Sequence, residues 1–238
     1  MKLPDDKLTY KRVGDKAIEI SWPDNVQDIL INRHNVALAI EEHFKNEVLV
    51  NEGYRTILLL FKDEIKNPDQ QIQELKQIIT SAATDQIFTP KKWRIPVLYD
   101  QDSADLLAIS KQTLLTFETI KRKHQEAIYT VEFIGFLPGF PYLSGLPEIL
   151  NIPRRETPNP SIQAGSVAIA AGQCGVYPRQ SPGGWYVLGR SPLEFFEVHR
   201  EQPNLLSIGD CVCFYDIDRQ EFDRIKSESS NLKTFQDG

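Results

Sequence analysis

Two short stretches combine aromatic side chains with turn residues, and these are the parts of the sequence best suited to binding a ligand. The first is VEFIGFLPGFPYLSGLP, with Phe136, Pro138, Gly139, Phe140 and Tyr142. Its Pro-Gly pair predicts a type II turn, because proline fixes φ and glycine accepts a positive φ at the next position. We expect a rigid turn flanked by rings. It either plugs one end of a barrel or forms the wall of a pocket or a partner-binding surface.

The second stretch is GQCGVYPRQSPGGWYVLGRSP, which has glycines where close backbone approach is possible. Gly183 and Gly184 follow Pro182 and would let the chain come near a ligand. If a strand begins there, Trp185 and Tyr186 point to opposite faces. Taken alone, the stretch is also compatible with a hairpin that carries an aromatic anchor.

The same region is rich in arginine. Residues 150–193 contain four arginines, no lysine and one acid, Glu156, so the local charge is 4 − 1 = +3 in a chain of net charge −6. The arginines are Arg154, Arg155, Arg179 and Arg190. Each could pair with an acid elsewhere in the chain. Together, beside two aromatic turns, they favour a small anionic ligand, because guanidinium binds carboxylate or phosphate through two parallel hydrogen bonds.

Other signals of catalysis are sparse. His124 ends a predicted helix and would serve either as a general base or as a charge at the helix C-terminus. The chain shows no readable Ser-His-Asp order, no phosphate-loop spacing and no dinucleotide-binding glycine pattern. Cys211 and Cys213 are interpreted as small hydrophobic residues on a strand, so no metal site is expected.

The first part of the chain is predicted to be a small α/β domain over residues 1–88. Two strands, a helix, two paired strands and a second helix are expected, and WRIPVLY adds a strand. The order β-α-β-β-α-β would give a ferredoxin-like layer. The pattern does not decide whether WRIPVLY closes that layer or begins the next domain. TDQIFTPKK is the predicted linker.

Residues 89–238 are predicted to form a second, mainly β domain. Two helical stretches precede Tyr129, and short β-rich runs separated by Gly and Pro follow: YTVEFIGF, GSVAIAAG, GGWYVLGR, LEFFEVH and GDCVCFYDI. Such spacing is typical of a barrel or sandwich with long loops.

Composition narrows the class of protein. The chain has 238 residues, of which 41% are hydrophobic and 25% charged. A net charge of −6 argues against a general nucleic-acid binder. No apolar run is long enough to span a membrane, no signal sequence is apparent, and three cysteines suit a reducing compartment, so a cytosolic protein is expected.

The motifs resemble one known family. HQEAIYTVEFIGFLPGFPYL, IPRRETP, AGSVAIAAGQCGVYPRQSPGGWYVLGRSP and LLSIGDCVCFYDI are similar to the B subunit of 5-oxoprolinase. The same family includes the KipI-type kinase inhibitor and allophanate hydrolase subunit 1. The resemblance implies a cyclophilin-like barrel in the second domain. It also implies a hetero-oligomer with a homologue of the C subunit, and it allows a third, lactam-cleaving A subunit.

The resemblance further implies an activity and a site. With ATP, the B and C subunits would phosphorylate 5-oxoproline on the way to glutamate, so this chain would be part of an enzyme. His124 and Arg190 map to catalytic positions. The implied substrate-binding residues are Phe136, Pro138, Gly139, Phe140, Tyr142, Arg154, Arg155, Tyr177, Gly183, Gly184 and Trp185.

Two departures and two alternatives accompany the resemblance. Asn159 and Gln163 stand where the family usually has an arginine and a proline, and loss of a guanidinium removes a cation and up to five donors. The alternatives are a regulator that inhibits a sensor histidine kinase and an enzyme component that acts on a urea-derived substrate.

Overall fold

The computed structural model describes residues 8–24, 29–81, 89–228 and 232–237. The chain divides into two compact units, Met1–Thr89 and Pro90–Gly238. Residues 84–88 of the predicted linker lie outside the described residues. Within the described residues, no helix has both the length and the apolarity needed to cross a membrane.

The N-terminal unit is a four-stranded antiparallel sheet with two helices. The elements are β1 (Thr9–Val13), β2 (Ala17–Ser21), α1 (Ile29–Phe44), β3 (Val48–Glu52), β4 (Thr56–Phe61) and α2 (Pro68–Ser81). Alternate residues of β2 and β4 are buried, Ile18 and Ile20 on one strand and Ile57 and Leu59 on the other. They pack with α1 and α2, which satisfies the apolar alternation of the two strands.

The predicted β-α-β-β-α-β order is wrong. The sheet order is β1-β2-β4-β3, and the strand after α2 joins the other unit. That strand, β5 (Lys92–Tyr99), buries Trp93, Ile95, Val97 and Tyr99 in the core of the second unit. In the first sheet β1 pairs with β2 and β3 pairs with β4, so β1 and β3 are the edge strands.

The second unit is built on a closed seven-stranded barrel. Besides β5, its strands are β6 (Tyr129–Ile134), β7 (Pro141–Ser144), β9 (Ser166–Ala170), β10 (Gln173–Val176), β12 (Tyr186–Arg190) and β13 (Cys211–Asp216). The order is β12-β9-β10-β7-β6-β13-β5, and β5 pairs back with β12 to close the ring. A barrel fold is thus confirmed, while its likeness to cyclophilin stays a prediction.

Short elements surround the barrel. They are α3 (Ala104–Thr113), α4 (Phe117–Glu126), β8 (Asn159–Ile162), β11 (Ser181–Gly183), α5 (Arg219–Ser227) and β14 (Gln236–Asp237). Among the described residues, β8 pairs only with β11, and β14 adds to the edge of β5. Ile109, Ile120 and Phe222 from the three helices join the barrel core.

One predicted strand of this unit is wrong. LEFFEVH forms no strand, only an isolated bridge between Phe196 and Asn204. The segment bonds to its own loop, since Leu205 N–H donates to the carbonyl of Phe195 at 2.9 Å. Leu193 and Phe195 are nevertheless buried in the barrel core, so the segment contributes to that core without forming a strand.

Candidate functional site

The predicted Pro-Gly turn is present. Gly139 has φ +82°, and Phe140 N–H donates to the carbonyl of Leu137 at 3.0 Å, as a type II turn requires. A Cβ added at Gly139 would lie 2.5 Å from Cβ of Phe196, so glycine also lets the turn pack closely against the neighbouring loop.

Phe136, just before this turn, has an unusual backbone conformation. Its φ is +66°, and Leu137 N–H donates to the carbonyl of Gly135 at 2.7 Å, which makes a γ-turn. A non-glycine residue in this region costs about 1 kcal/mol or more. Its side chain is nevertheless 62% exposed, and its ring meets that of Phe140 edge-on at 5.7 Å.

Four further rings form a cluster that we call the aromatic face: Phe140, Tyr142, Tyr177 and Trp185. The ring of Phe140 is at its centre, 4.8 Å from Tyr142, 5.0 Å from Tyr177 and 5.6 Å from Trp185 between centroids. Edge-to-face and tilted contacts of this kind stabilise the cluster beyond simple burial.

The aromatic face lies on the outside of the barrel. On β9, Val167 and Ile169 point into the barrel core, while Ala168 and Ala170 belong to the aromatic cluster. The small side chains leave room for rings against the sheet. On β10 the space is tighter still, because a Cβ at Gly175 would lie 2.9 Å from the ring of Phe140.

Gly183 and Gly184 have different roles, which a pair of substitutions can show. A Cβ at Gly183 would lie 2.1 Å from Oη of Tyr177, whereas the nearest atom to a Cβ at Gly184 is the Arg155 carbonyl oxygen at 3.8 Å. We expect Gly183→Ala to lower the free energy of unfolding by about 2 kcal/mol through overpacking. Urea denaturation measures it, with Gly184→Ala as the near-neutral control. Equal stability of the two variants would contradict the packing role.

The two tyrosines of the aromatic face are neutral hydroxyl groups at pH 7. Burial raises the pKa of Tyr177 to about 12, with Tyr142 adding to the rise, while the Trp185 backbone N–H and the Arg154 guanidinium oppose it. Burial also raises the pKa of Tyr142. The hydroxyl of the half-buried Tyr142 can therefore donate a hydrogen bond to an anion near Arg154, whereas Tyr177 is only 2% exposed.

Arg154 is the cation of the aromatic face. Its guanidinium carbon lies 5.8 Å from the centroid of Trp185, at the outer limit of a cation–π contact. The side chain is exposed, and no described carboxylate forms a salt bridge with it. Its charge is thus available to a ligand or a partner.

Arg155 points the other way. Its guanidinium pairs with the carboxylate of Asp105 and lies 4.4 Å from the centroid of Tyr186. Trp185 is in the aromatic cluster, whereas Tyr186 packs against the barrel core, so the prediction that they face opposite sides is confirmed. Arg155 therefore pairs internally with an acid, and the prediction that it contacts substrate receives no support from this geometry.

The other two arginines do not join the face. Arg190 donates from Nε to the carbonyl of Ala164 and from Nη1 to Gln163, both at 2.8 Å, and lies 5.8 Å from the centroid of Phe222. Arg179 is exposed, and within the described chain it has no salt bridge. The guanidinium of Arg190 is thus bonded to the loop before β9. Its predicted catalytic role stays a prediction.

His124 lies in the barrel core. Its side chain is fully buried, with Nδ1 2.8 Å from the Tyr99 hydroxyl and Nε2 3.5 Å from Sγ of Cys174. Burial lowers the pKa of the imidazole from 6.5 to about 3, so it is neutral at pH 7. The alternative of a charge at the helix C-terminus is wrong. Stacked against Phe214, the ring is also badly placed for a general base.

Most of the aromatic face is covered by the protein itself, because the side chains of Phe140, Tyr177 and Trp185 are only 1%, 2% and 5% exposed. The two best-formed cavities among the described residues lie elsewhere, one of about 340 Å³ between Glu47 and Glu74 and one of about 380 Å³ between Ile134 and Ile208. The described residues also contain no group of three or more His, Cys, Asp or Glu side chains suited to a metal ion.

Sequence reasoning missed Asp105, which pairs with Arg155 across 50 positions. Its only sequence signal is a place in the first turn of a helix capped by Ser103, which predicts a helix start and not a distant partner. It also missed the strained backbone of Phe136.

Together, the seven-stranded barrel and the exposed Arg154, which lies beside a largely buried aromatic cluster and has no acid partner among the described residues, define a class of β-barrel protein with a candidate anion-binding residue on the outside of the barrel. A family profile described as carboxyltransferase domain, subdomain C and D, matches residues 8–206. The B subunit of 5-oxoprolinase from Bacillus subtilis is 36% identical over 238 residues, covering 94% of this chain and 99% of that protein.

A second relative agrees. The B subunit of 5-oxoprolinase from Haemophilus influenzae is 41% identical over 158 residues, or 66% of this chain and 74% of that protein. This chain belongs to the family of 5-oxoprolinase B subunits, within the carboxyltransferase-domain group that the profile describes.

A solved structure shares the fold. The urea carboxylase of Kluyveromyces lactis matches with a TM-score of 0.72 at 19% identity, over 97% of this chain and 23% of that one. The chain thus spans about a quarter of that larger protein, and the likeness concerns the fold alone.

Proposed function

We propose that this chain is the B component of an ATP-dependent 5-oxoprolinase, which acts with a homologue of the C subunit to phosphorylate 5-oxoproline. The observation that carries the proposal is Arg154, an exposed guanidinium without a described acid partner beside the aromatic face. The names of the relatives supply the substrate, and the site supplies the chemistry that would recognise it.

5-Oxoproline is a small flat lactam that carries one carboxylate. A guanidinium can bind that carboxylate through two parallel hydrogen bonds. The hydroxyl of the half-buried Tyr142, which stays protonated at neutral pH, adds a donor beside it. We assign the carboxylate to Arg154 and the lactam ring to the half-buried ring of Tyr142, since Phe140, Tyr177 and Trp185 are almost completely buried.

The activation step transfers the γ-phosphoryl group of ATP to the lactam oxygen. A new O–P bond forms, the bond from the γ-phosphorus to the β,γ-bridging oxygen breaks, and ADP leaves. Such a transfer needs several cations around the phosphoryl oxygens. Among the described residues of the face only Arg154 offers one, so this chain fits a carboxylate better than a triphosphate. Contacts to ATP are expected mainly from the partner protein.

A substrate bound at the exposed guanidinium of Arg154 also needs a partner to cover it. A compact substrate is normally buried over most of its surface, and water must be kept from the transferring phosphoryl group. We propose that the C subunit lies over the aromatic face and completes the pocket. This chain alone is then expected to be inactive.

Reconstitution tests the proposal. The chain is co-produced with a homologue of the C subunit from the same organism, and ADP release is measured with and without 5-oxoproline. We expect release that depends on 5-oxoproline from the complex and none from either protein alone. An intact complex whose ADP release ignores 5-oxoproline would contradict the proposal. So would a chain that copurifies with a sensor histidine kinase and not with the C subunit.

A further inference from the structure

Asp105 links three parts of the second unit. It lies in the first turn of α3, and its side chain is 13% exposed. One carboxylate oxygen pairs with the guanidinium of Arg155, and the other accepts the backbone N–H of Val187 at 2.8 Å. The helix is thereby tied to the loop before β8 and to the start of β12.

Those two segments carry the main groups of the aromatic face. Arg154 precedes Arg155, and Trp185 lies two residues before Val187. A further bond joins them directly, since Arg155 N–H donates to the carbonyl of Gly184 at 2.8 Å. Arg154 and Trp185 face one side, while Arg155 and Tyr186 face the other.

We propose that Asp105 is a positioning residue of the aromatic face. By bonding to Arg155 and to β12 on the side opposite the rings, Asp105 holds Arg154 against Trp185. This inference rests on the proposed function in taking Arg154 as the residue that binds the substrate carboxylate. Asp105 itself contacts neither the aromatic face nor, on this assignment, the substrate.

The physical reason is the burial of the Arg155–Asp105 pair. The side chains are 24% and 13% exposed, so removing one charge leaves the other mostly desolvated and unpaired. The guanidinium of Arg155 then turns toward solvent. The side-chain tie between Arg155 and α3 is then lost, so the backbone bond from Arg155 to Gly184 is left to hold the two segments, and Arg154 is held less firmly over the indole ring.

The first arm of the test is independent of activity. Protein labelled with 5-fluorotryptophan gives three ¹⁹F resonances, for Trp22, Trp93 and Trp185, and Trp185→Phe assigns the third. Asp105→Asn keeps the size of the side chain and an acceptor for Val187. We expect it to shift or broaden the Trp185 resonance alone. Movement of all three resonances would indicate general destabilisation and overturn the positioning role, as would no movement.

The matched control is Glu118→Gln. Glu118 occupies the same first-turn position of the next helix, α4, but its carboxylate pairs with Lys121 at the surface, at 3.3 Å. Its neutralisation removes the same favourable charge from a helix N-terminus without touching the aromatic face. We expect no change in the Trp185 resonance.

The second arm measures kinetics in the complex with the C subunit. We expect Asp105→Asn to raise KM for 5-oxoproline about tenfold and to leave kcat within about twofold, because ground-state and transition-state binding are weakened alike. The double variant Asp105→Asn/Arg155→Gln should be no worse than either single variant. Additive losses or an unchanged KM would overturn the proposal. If the unsubstituted complex shows no activity toward 5-oxoproline, the proposed function fails, and the ¹⁹F arm still decides the positioning.

Discussion

Arg154→Gln is expected to lower kcat/KM for 5-oxoproline about 100-fold in the complex with the C subunit, because a hydrogen bond to a charged group contributes roughly 1.5–3 kcal/mol. Glutamine keeps a donor but loses the charge and the two-pronged geometry that suits a carboxylate. Steady-state ADP release at varied 5-oxoproline concentration measures the effect. Arg154→Lys should cause a smaller loss than Arg154→Gln, because an ammonium group keeps the charge but cannot form two parallel hydrogen bonds to the carboxylate.

The matched control is Arg94→Gln. Arg94 is another exposed arginine over a ring, 5.3 Å from the centroid of Tyr215, and it lies on β5 outside the aromatic face. Its substitution removes the same charge and the same kind of contact. We expect activity within twofold or so of the unsubstituted complex. Equal losses in the two variants would show a general effect of surface charge and remove Arg154 from the site.

The second large effect concerns the pH dependence of stability. His124 has a folded-state pKa of about 3 and an ordinary value of 6.5, so between these pH values the unfolded chain binds a proton that the folded chain excludes. Stability is therefore lost as pH falls from 6.5 toward 3. Between pH 7 and pH 4 this one side chain should cost about 3 kcal/mol of unfolding free energy.

His124→Gln tests this. Glutamine can still accept from Tyr99 and donate toward Cys174, but it does not titrate. Urea denaturation at pH 7 and at pH 4 gives the difference in unfolding free energy for each protein. We expect that difference to be about 3 kcal/mol smaller in the variant. His199→Gln, at an exposed position, should keep the original dependence. Parallel pH curves for His124→Gln and the unsubstituted chain would show that the imidazole is not buried as described.

Sequence reasoning succeeded where local chemistry decides the structure. The type II turn follows from Pro138 and Gly139 alone, because each restricts its own φ. The opposite orientation of Trp185 and Tyr186 follows from the two-residue period of a strand. The barrel strands were visible as short apolar runs between turns, and the motifs around them were specific enough to indicate the family.

What the sequence by itself determined, then, was the turns, the strand-forming runs and the residues from which a binding face could be made. Only the tertiary structure decided that β5 leaves the first sheet and that His124 is buried and neutral. It also decided that Arg155 finds Asp105 while Arg154, on the face, meets no acid among the described residues. The reason is physical. Backbone preference and periodicity act within a few residues, whereas burial and charge pairing depend on which distant segments the closed barrel brings together.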